Sequence, residues 1–465
     1  MNTFIGAAIQ FFTMIRKMRE HKRNEHLTKH SLQVLQLKKF RKLVKHAYKY
    51  SPYYRELIEK RSINVNTCIP SDFPILTKEL VVENFDRIST ERSINKKSIS
   101  DFLANSKNPA DLFLGKYYIV HTSGSNGQVA YFPFSRRDWA CGFSHISRTR
   151  KVPVPFSPTK IACYLAADGH YAGVSWATTG KQFINKMFFN VLTLEINSPL
   201  DETIKKLNDF QPELLTGYPS SLAVLAQKQR EGILRISPRN VELGGEPSTP
   251  EDAENLRAAF RSGIVNYYGS TEFMVMGASP LNTSSIKLYE DDLHFELNDD
   301  HSIVTSLFNH TFPLIRYRMG DVLMPENAVE EEHPYQMIRG IIGRSESAPQ
   351  FINEDGANDF ISPHTINEIF VPGVARFQMR VQTSESFSFL VCMEKGLSST
   401  EIANAIDLLK SRIRQILQKK KMSNVYFEIH HVDELLVDPA TRKFRLIVNE
   451  VNAESQHLQL QAMRA

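Results

Sequence analysis

Five short runs of extended-type residues, 117–121, 160–166, 214–215, 240–243 and 264–268, are separated by stretches with helical character. Strand-like runs alternating with helical ones bury both kinds of apolar face by layering helices on a sheet, so the chain reads as α/β. Several helix starts are legible. Thr249-Pro250-Glu251-Asp252 sets a capping Thr before a Pro at the first helical position, with an acid at the third. Ser135-Arg136-Arg137-Asp138 offers a similar cap. Across 31–60 the apolar residues recur at three- and four-residue spacing and are interrupted by Ser51-Pro52, which predicts two helices. Near Gly343 the character changes. The short alternating runs 377–381 and 387–393 precede one long amphipathic helix over 399–420, the pattern of a small α+β domain. At 465 residues the chain exceeds what one core usually supports. It is therefore divided into a large N-terminal domain of several subdomains, 1–345, and a small C-terminal domain, 346–465.

Composition narrows the function classes without choosing among them. Apolar residues make up 42% and charged residues 23%, which excludes a disordered chain. The balance of 56 basic against 51 acidic residues gives +5, which suits mildly anionic ligands and demands no nucleic-acid partner. Cys68, Cys141, Cys163 and Cys392 are scattered with no C-x-x-C pair, so neither a disulfide framework nor a cysteine zinc site is expected, and the cytoplasm is the natural compartment. The apolar stretch 4–15 is broken by Gln10 and followed, not preceded, by its charges, so it reads as neither a secretory signal nor a membrane span. Phe4, Ile9, Phe11 and Ile15 with Arg16, Lys17, Arg19, Lys22 and Arg23 can form an amphipathic helix. Such a helix over 4–23 either lies on a membrane surface or packs its apolar face on the body or on a second subunit, as in a homodimer; the second is the ordinary pattern.

Between two strand-like runs lies His121-Thr122-Ser123-Gly124-Ser125-Asn126-Gly127. In such a turn consecutive N–H groups can point into one concavity while hydroxyls donate further bonds, an arrangement suited to phosphate oxygens. It is not a P-loop, because Gln128 stands where the Lys would be and a strand follows. Read alone, the segment is also an ordinary turn. Further along come Tyr268-Gly269-Ser270-Thr271-Glu272, Tyr317-Arg318-Met319-Gly320-Asp321 and Gly343-Arg344. Each has a plain reading too: Tyr268 as a core aromatic, Glu272 as a helix cap, Gly320-Asp321 as a turn pair.

Taken together and in this order, these segments resemble the adenylate-forming superfamily of acyl-CoA synthetases, luciferases and nonribosomal adenylation domains. The likeness is greatest to the phenylacetate-CoA ligase branch, through 40–55, Phe73-Pro74-Ile75-Leu76-Thr77-Lys78, Thr216-Gly217-Tyr218-Pro219-Ser220, Gly244-Gly245-Glu246-Pro247 and 308–318, and it spans nearly the whole chain. The resemblance implies ATP and Mg²⁺ as cofactors and coenzyme A as co-substrate. It implies that Thr122, Ser123, Gly124, Ser125 and Gly127 cradle the β- and γ-phosphates. Thr271 would bond the α-phosphate and Glu272 would hold Mg²⁺, a hard cation that takes carboxylate and phosphate oxygens. Tyr268, with Gly269 and Ser270 behind it, would lie against adenine, and Gly245, Glu246 and Pro247 would wall the other side. Asp321 would accept both ribose hydroxyls, and Arg344 would approach from the hinge at Glu346, where an Asp is commoner in the family. Lys443 would bring a cation onto the carboxylate and α-phosphate. Here Arg442 replaces the family's Gly, and Val129-Ala130 replace its Pro and Lys or Thr.

What the resemblance implies chemically is in-line attack of a carboxylate on the α-phosphorus of ATP, followed by attack of the coenzyme A thiol on the acyl-adenylate. The acid would sit near Asp168-Gly169-His170-Tyr171-Ala172-Gly173, with Tyr171 as a wall and Gly173 among the small residues that leave room for an aromatic ring. His170 is either a substrate contact or a structural histidine. Two alternatives stand beside this reading: an adenylating enzyme that delivers the acyl group to an amine or a carrier-protein thiol, and an inactive nucleotide-binding homologue.

Overall fold

The computed structural model describes residues 2–106, 108–122, 129–150, 155–167, 169–179, 185–299, 301–326, 334–342, 348–436 and 445–450. The central element is a nine-stranded sheet. Its parallel half runs Phe189–Glu195, Thr159–Leu165, Leu214–Gly217, Asn240–Leu243 and Gly263–Ser270 in spatial order. Four of the five expected extended runs are here, with the addition of Phe189–Glu195, while the run 117–121 falls in a separate hairpin. Helices Leu200–Phe210, Pro219–Arg230 and Pro250–Phe260 pack on one face through Leu207, Leu222, Leu225, Leu256 and Phe260. On the other face Val174 and Ala177 of helix Ala172–Thr179 meet Ile161 and Cys163. The chain passes from Thr159–Leu165 to one neighbour and then jumps to the opposite side, to Leu214–Gly217. That reversal opens a crevice at the carboxyl ends of the two strands, where ligands of open α/β sheets bind.

Four antiparallel strands, Met274–Ala278, Ile286–Leu288, Met337–Ile342 and Val322–Pro325, extend the sheet beyond Gly263–Ser270. The hairpin Tyr117–His121 with Tyr131–Ser135 and the three-stranded sheet of Leu293–Leu297, Ser302–Ser306 and Tyr317–Met319 share a core with helices Lys29–Tyr50 and Pro52–Lys60. Ser51 ends the first of those helices and caps the second by accepting from Tyr54 N. The caps at Ser135 and Thr249 are full capping boxes with Asp138 and Asp252.

Beyond 348, strands Tyr426–His431, Ser386–Met393, Val374–Thr383 and Ile447–Asn449 form a separate sheet, covered by helix Ser399–Lys419 through Ala405, Leu409, Ile413 and Leu417. This small α+β unit meets the large sheet through Phe360, which lies in the core of the parallel half. Lys420 and Asp359, both fully buried, pair at 2.7 Å where the two units touch. Lys420 also donates to Ser198 O at 2.9 Å, and Asp359 accepts from Leu200 N at 2.9 Å.

The N-terminal helix Asn2–Asn24 departs from the expected packing of its apolar face. Its buried stripe is polar: Thr13, Lys17, His21 and Asn24, while Ile9 and Phe12 face outward. The cause is a pair of buried acids. Asp292 accepts from Lys17 at 2.8 Å, Lys39 at 2.9 Å and His21 at 3.2 Å. Asp291 accepts from Arg148 at 2.6 Å and Asn24 at 2.8 Å. The rings of His21 and His145 stack at 4.5 Å and an angle of 10°. The donor atoms of His21, His145 and Asp292 lie within 4.8 Å of one another. Parallel imidazoles do not aim their lone pairs at a common point, however, and the two lysines already neutralise Asp292, so this is an ion network and not a cation site. No helix among the described residues is long and apolar enough to cross a membrane.

Candidate active site

The nucleotide-type residues meet at the carboxyl ends of Asn240–Leu243 and Gly263–Ser270. After Leu243 the chain turns through Gly244-Gly245-Glu246-Pro247 into helix Pro250–Phe260. Gly245 has φ +80°, and a Cβ there would lie 2.8 Å from Cε1 of Tyr218, so the turn needs glycine both for its backbone and for the close ring. Gly245, Glu246, Pro247, Tyr268, Gly269 and Asp321 line one cavity of about 200 Å³. Tyr268 Oη donates to Asp321 Oδ2 at 3.0 Å. Burial raises the Asp321 carboxyl above the ordinary range, and the Tyr268 hydroxyl partly offsets it. Gly269, paired with Val275, follows a register shift after Tyr268, and a Cβ there would come within 2.4 Å of the Met274 carbonyl oxygen.

Ser270, Thr271 and Glu272 form the tip of the hairpin that follows. Ser270 Oγ accepts from Phe273 N at 3.3 Å. Glu272 Oε1 accepts from Tyr317 Oη at 3.3 Å, and burial raises its carboxyl, against the lowering effect of its local hydrogen bonds and of Lys78. The hydroxyls that bond Glu272 and the charge of Lys78 do not offset its burial, the condition in which a divalent cation would hold the carboxylate ionised.

His121, at the entry to the phosphate-type turn, lies beside His170 and Tyr171 of the acid segment. His121 N donates to His170 O at 3.3 Å, and the His121 and Tyr171 rings are 4.9 Å apart. Thr122 closes the base of the turn: its N donates to Ala130 O at 3.0 Å and its Oγ1 accepts from Ala130 N at 3.1 Å. Among the described residues, a Cβ on Gly173 would find only Leu165 Cδ2, at 3.8 Å. The His170 imidazole is turned away into structure, bonded to Ser106 Oγ at 2.9 Å and set edge-on to Phe102. Burial lowers its affinity for a proton.

Between these groups lies a constellation that sequence reading missed. Glu242 is fully buried in Asn240–Leu243, two residues before Gly244. It takes a bidentate pair from Arg150, at 2.8 and 2.5 Å. The Arg150 guanidinium rests 4.9 Å over the ring of Trp176, on the helix that follows the acid segment. Thr149 bonds Tyr267 Oη. Burial opposes the charge of Arg150, and Glu242 more than restores it. The signal available was an acid between Val241 and Leu243 in an otherwise apolar strand; its partner, 92 positions earlier, was not readable. Among the expected site residues, Ser123, Gly124, Ser125, Gly127, Arg344, Glu346 and Lys443, with Asp168 and Arg442, lie outside the described residues.

No family model matches the chain. It is 24% identical over 330 residues to Protein CapK of Staphylococcus aureus, covering 67% of each. It is 24% identical over 360 residues to phenylacetate-coenzyme A ligase of Aromatoleum evansii, covering 69% of this chain and 72% of that one. Among solved structures, 2-hydroxyisobutyryl-CoA ligase in complex with 2-HIB-AMP and CoA superposes with a TM-score of 0.60 at 19% identity over 94% of both chains. The chain thus has the fold of 2-hydroxyisobutyryl-CoA ligase and is similar in sequence to phenylacetate-coenzyme A ligase, in line with the resemblance to the phenylacetate-CoA ligase-like branch of the adenylate-forming superfamily.

Proposed function

We propose that the protein activates a carboxylic acid with ATP as the acyl-adenylate and passes the acyl group to the thiol of coenzyme A. The observation that carries this reading is the Tyr268 to Asp321 bond in the wall of a cavity closed on its other side by Gly245-Glu246-Pro247. An aromatic face, an acceptor-only carboxylate and a glycine turn meet there in the order a purine riboside requires. Adenine would lie on Tyr268 and the ribose hydroxyls on Asp321. The α-phosphate would then point toward Thr271 and Glu272, and the β- and γ-phosphates toward the turn that begins at Thr122.

In the first step an oxygen of the substrate carboxylate bonds the α-phosphorus as the bond to pyrophosphate breaks. Thr122 and the turn after it grip the leaving pyrophosphate, and Lys443 offsets charge on the carboxylate and α-phosphate. Mg²⁺, held at Glu272, would supply charge neutralisation to the phosphate oxygens. In the second step the thiol sulfur bonds the acyl carbon and AMP leaves. Division at 345/346, with Glu346 as the pivot, would let the small domain serve both steps. The acid would sit beside Tyr171 and Gly173, and an aromatic acid is the class proposed.

Acid-dependent ATP–pyrophosphate exchange, run over anthranilate, benzoate, phenylacetate and fatty acids, tests the first step. No exchange with any of them would end the enzyme reading. AMP release that requires coenzyme A tests the second step; release that ignores coenzyme A and follows an added amine would reassign the acceptor.

A further inference from the structure

The outer face of the N-terminal helix carries apolar and basic residues in one line. Ile9, Phe12, Arg16, Arg19 and Arg23 follow one another at three- and four-residue spacing and are all exposed, forming a single stripe about 21 Å long at the helical rise. Its first two turns are apolar: Ile9 is 51% and Phe12 68% exposed. A third exposed apolar residue is tied through its backbone to the segment on which this helix packs. Phe11 stacks on Phe188 at 5.8 Å, and Phe156, 83% exposed, donates its N–H to the carbonyl of Met187 next door. The later turns are basic. The acids in and just after the helix do not answer them, because Glu20 pairs with Lys17 and Lys39 while Glu25 pairs with Arg148 and Lys287. Among the described residues no ion pair involves Arg16, Arg19 or Arg23.

We infer that this face docks on an anionic lipid surface, with Ile9, Phe12 and Phe156 entering the interfacial layer and Arg16, Arg19 and Arg23 on the headgroups. Two features favour lipid over a second copy of the chain. Three side chains offer on the order of 400 Å², about half of the ~800 Å² per partner that a stable dimer buries. A stripe that passes from aromatic to cationic along one helix also matches the layering of a bilayer edge, apolar beside anionic. The helix can bear this load because its other side is pinned to the body through Asp291 and Asp292, so docking costs no folding.

The test uses the full purified chain and sedimentation with phosphatidylcholine vesicles, with and without a quarter phosphatidylglycerol. Binding is expected only to the anionic vesicles, and it should vanish in about 1 M salt, where the screening length is about 3 Å. Each basic side chain near such a surface contributes about 5-fold. R16E/R19E/R23E should therefore lower binding by about 100-fold or more, and F12S/F156S should release the protein with its basic stripe intact. Thermal melts of both variants that match the parent would exclude misfolding as the cause. No sedimentation of the parent with anionic vesicles, or binding untouched by either variant, would overturn the inference. So would a concentration-dependent dimer broken by F12S in vesicle-free buffer, which would give the face to a second copy.

Discussion

Replacing Asp292 by Ala tests whether the N-terminal helix is held by charge and not by apolar burial. The carboxylate accepts from Lys17 and Lys39, and the Lys17 side chain is only 4% exposed. Removing one partner of a buried pair costs about 3–5 kcal/mol, because the other charge is stranded without water. Here both lysines keep Glu20, at 3.1 and 2.6 Å, and that carboxylate is 18% exposed. The cost should therefore fall at the lower end, about 3 kcal/mol. It should be local: native-state hydrogen exchange would show the amides of Asn2–Asn24 opening roughly 100-fold more often, while those of the parallel strands change little. In D292A/K17M the stranded ammonium is gone, and part of the loss should return. A D292A protein whose helix amides exchange within about fivefold of the parent, a cost below about 1 kcal/mol, would refute the argument.

The same cluster sets an acid limit. Burial holds His21 and His145 below the ordinary imidazole value despite Asp292. For a histidine lowered on folding, the contribution is fully present above the unfolded value of about 6.5 and is lost as pH falls through the folded one; urea midpoints should begin to drop just below about pH 6.5, and a flat profile down to about pH 4.5 would contradict this. Asp321→Ala removes the acceptor proposed for ribose and should raise the KM for ATP about 10- to 100-fold, the usual range for a hydrogen bond to a charged group, and an unchanged KM would take Asp321 out of the site. Gly245→Ala places a methyl against Tyr218 at positive φ, and it should cost about 1–2 kcal/mol in a urea melt while weakening nucleotide binding. Lys420→Met strands Asp359 between the two units at a cost of about 3–5 kcal/mol. Limited proteolysis should then cut faster near 348–367, and an unaltered digest would count against the pair as a clamp.

Local order was readable wherever a short stretch carries its own physics. Ser135 with Asp138, and Thr249 with Asp252, satisfy orphan N–H groups at helix starts within four residues, so their caps were visible before any packing was known. Ser51-Pro52 divides two helices for an equally local reason, since Pro suits a first helical turn and breaks an interior. The alternation of strands and helices implied layers, and the resemblance carried by the glycine, tyrosine and acid segments implied a nucleotide cleft.

Pairings across the chain belong to tertiary structure alone. Tyr268 and Asp321 are 53 positions apart, and only the antiparallel extension of the sheet brings the hydroxyl onto the carboxylate. Arg150 and Glu242 are 92 positions apart, and no local pattern encodes their pairing. The N-terminal helix is the sharpest case. Its sequence determined an amphipathic helix, and periodicity favoured burying the apolar side. Asp291 and Asp292, some 270 residues away, turned the polar stripe inward instead. Two buried carboxylates left unpaired would have cost more than two exposed apolar side chains, and that balance could be struck only once the fold had brought them together.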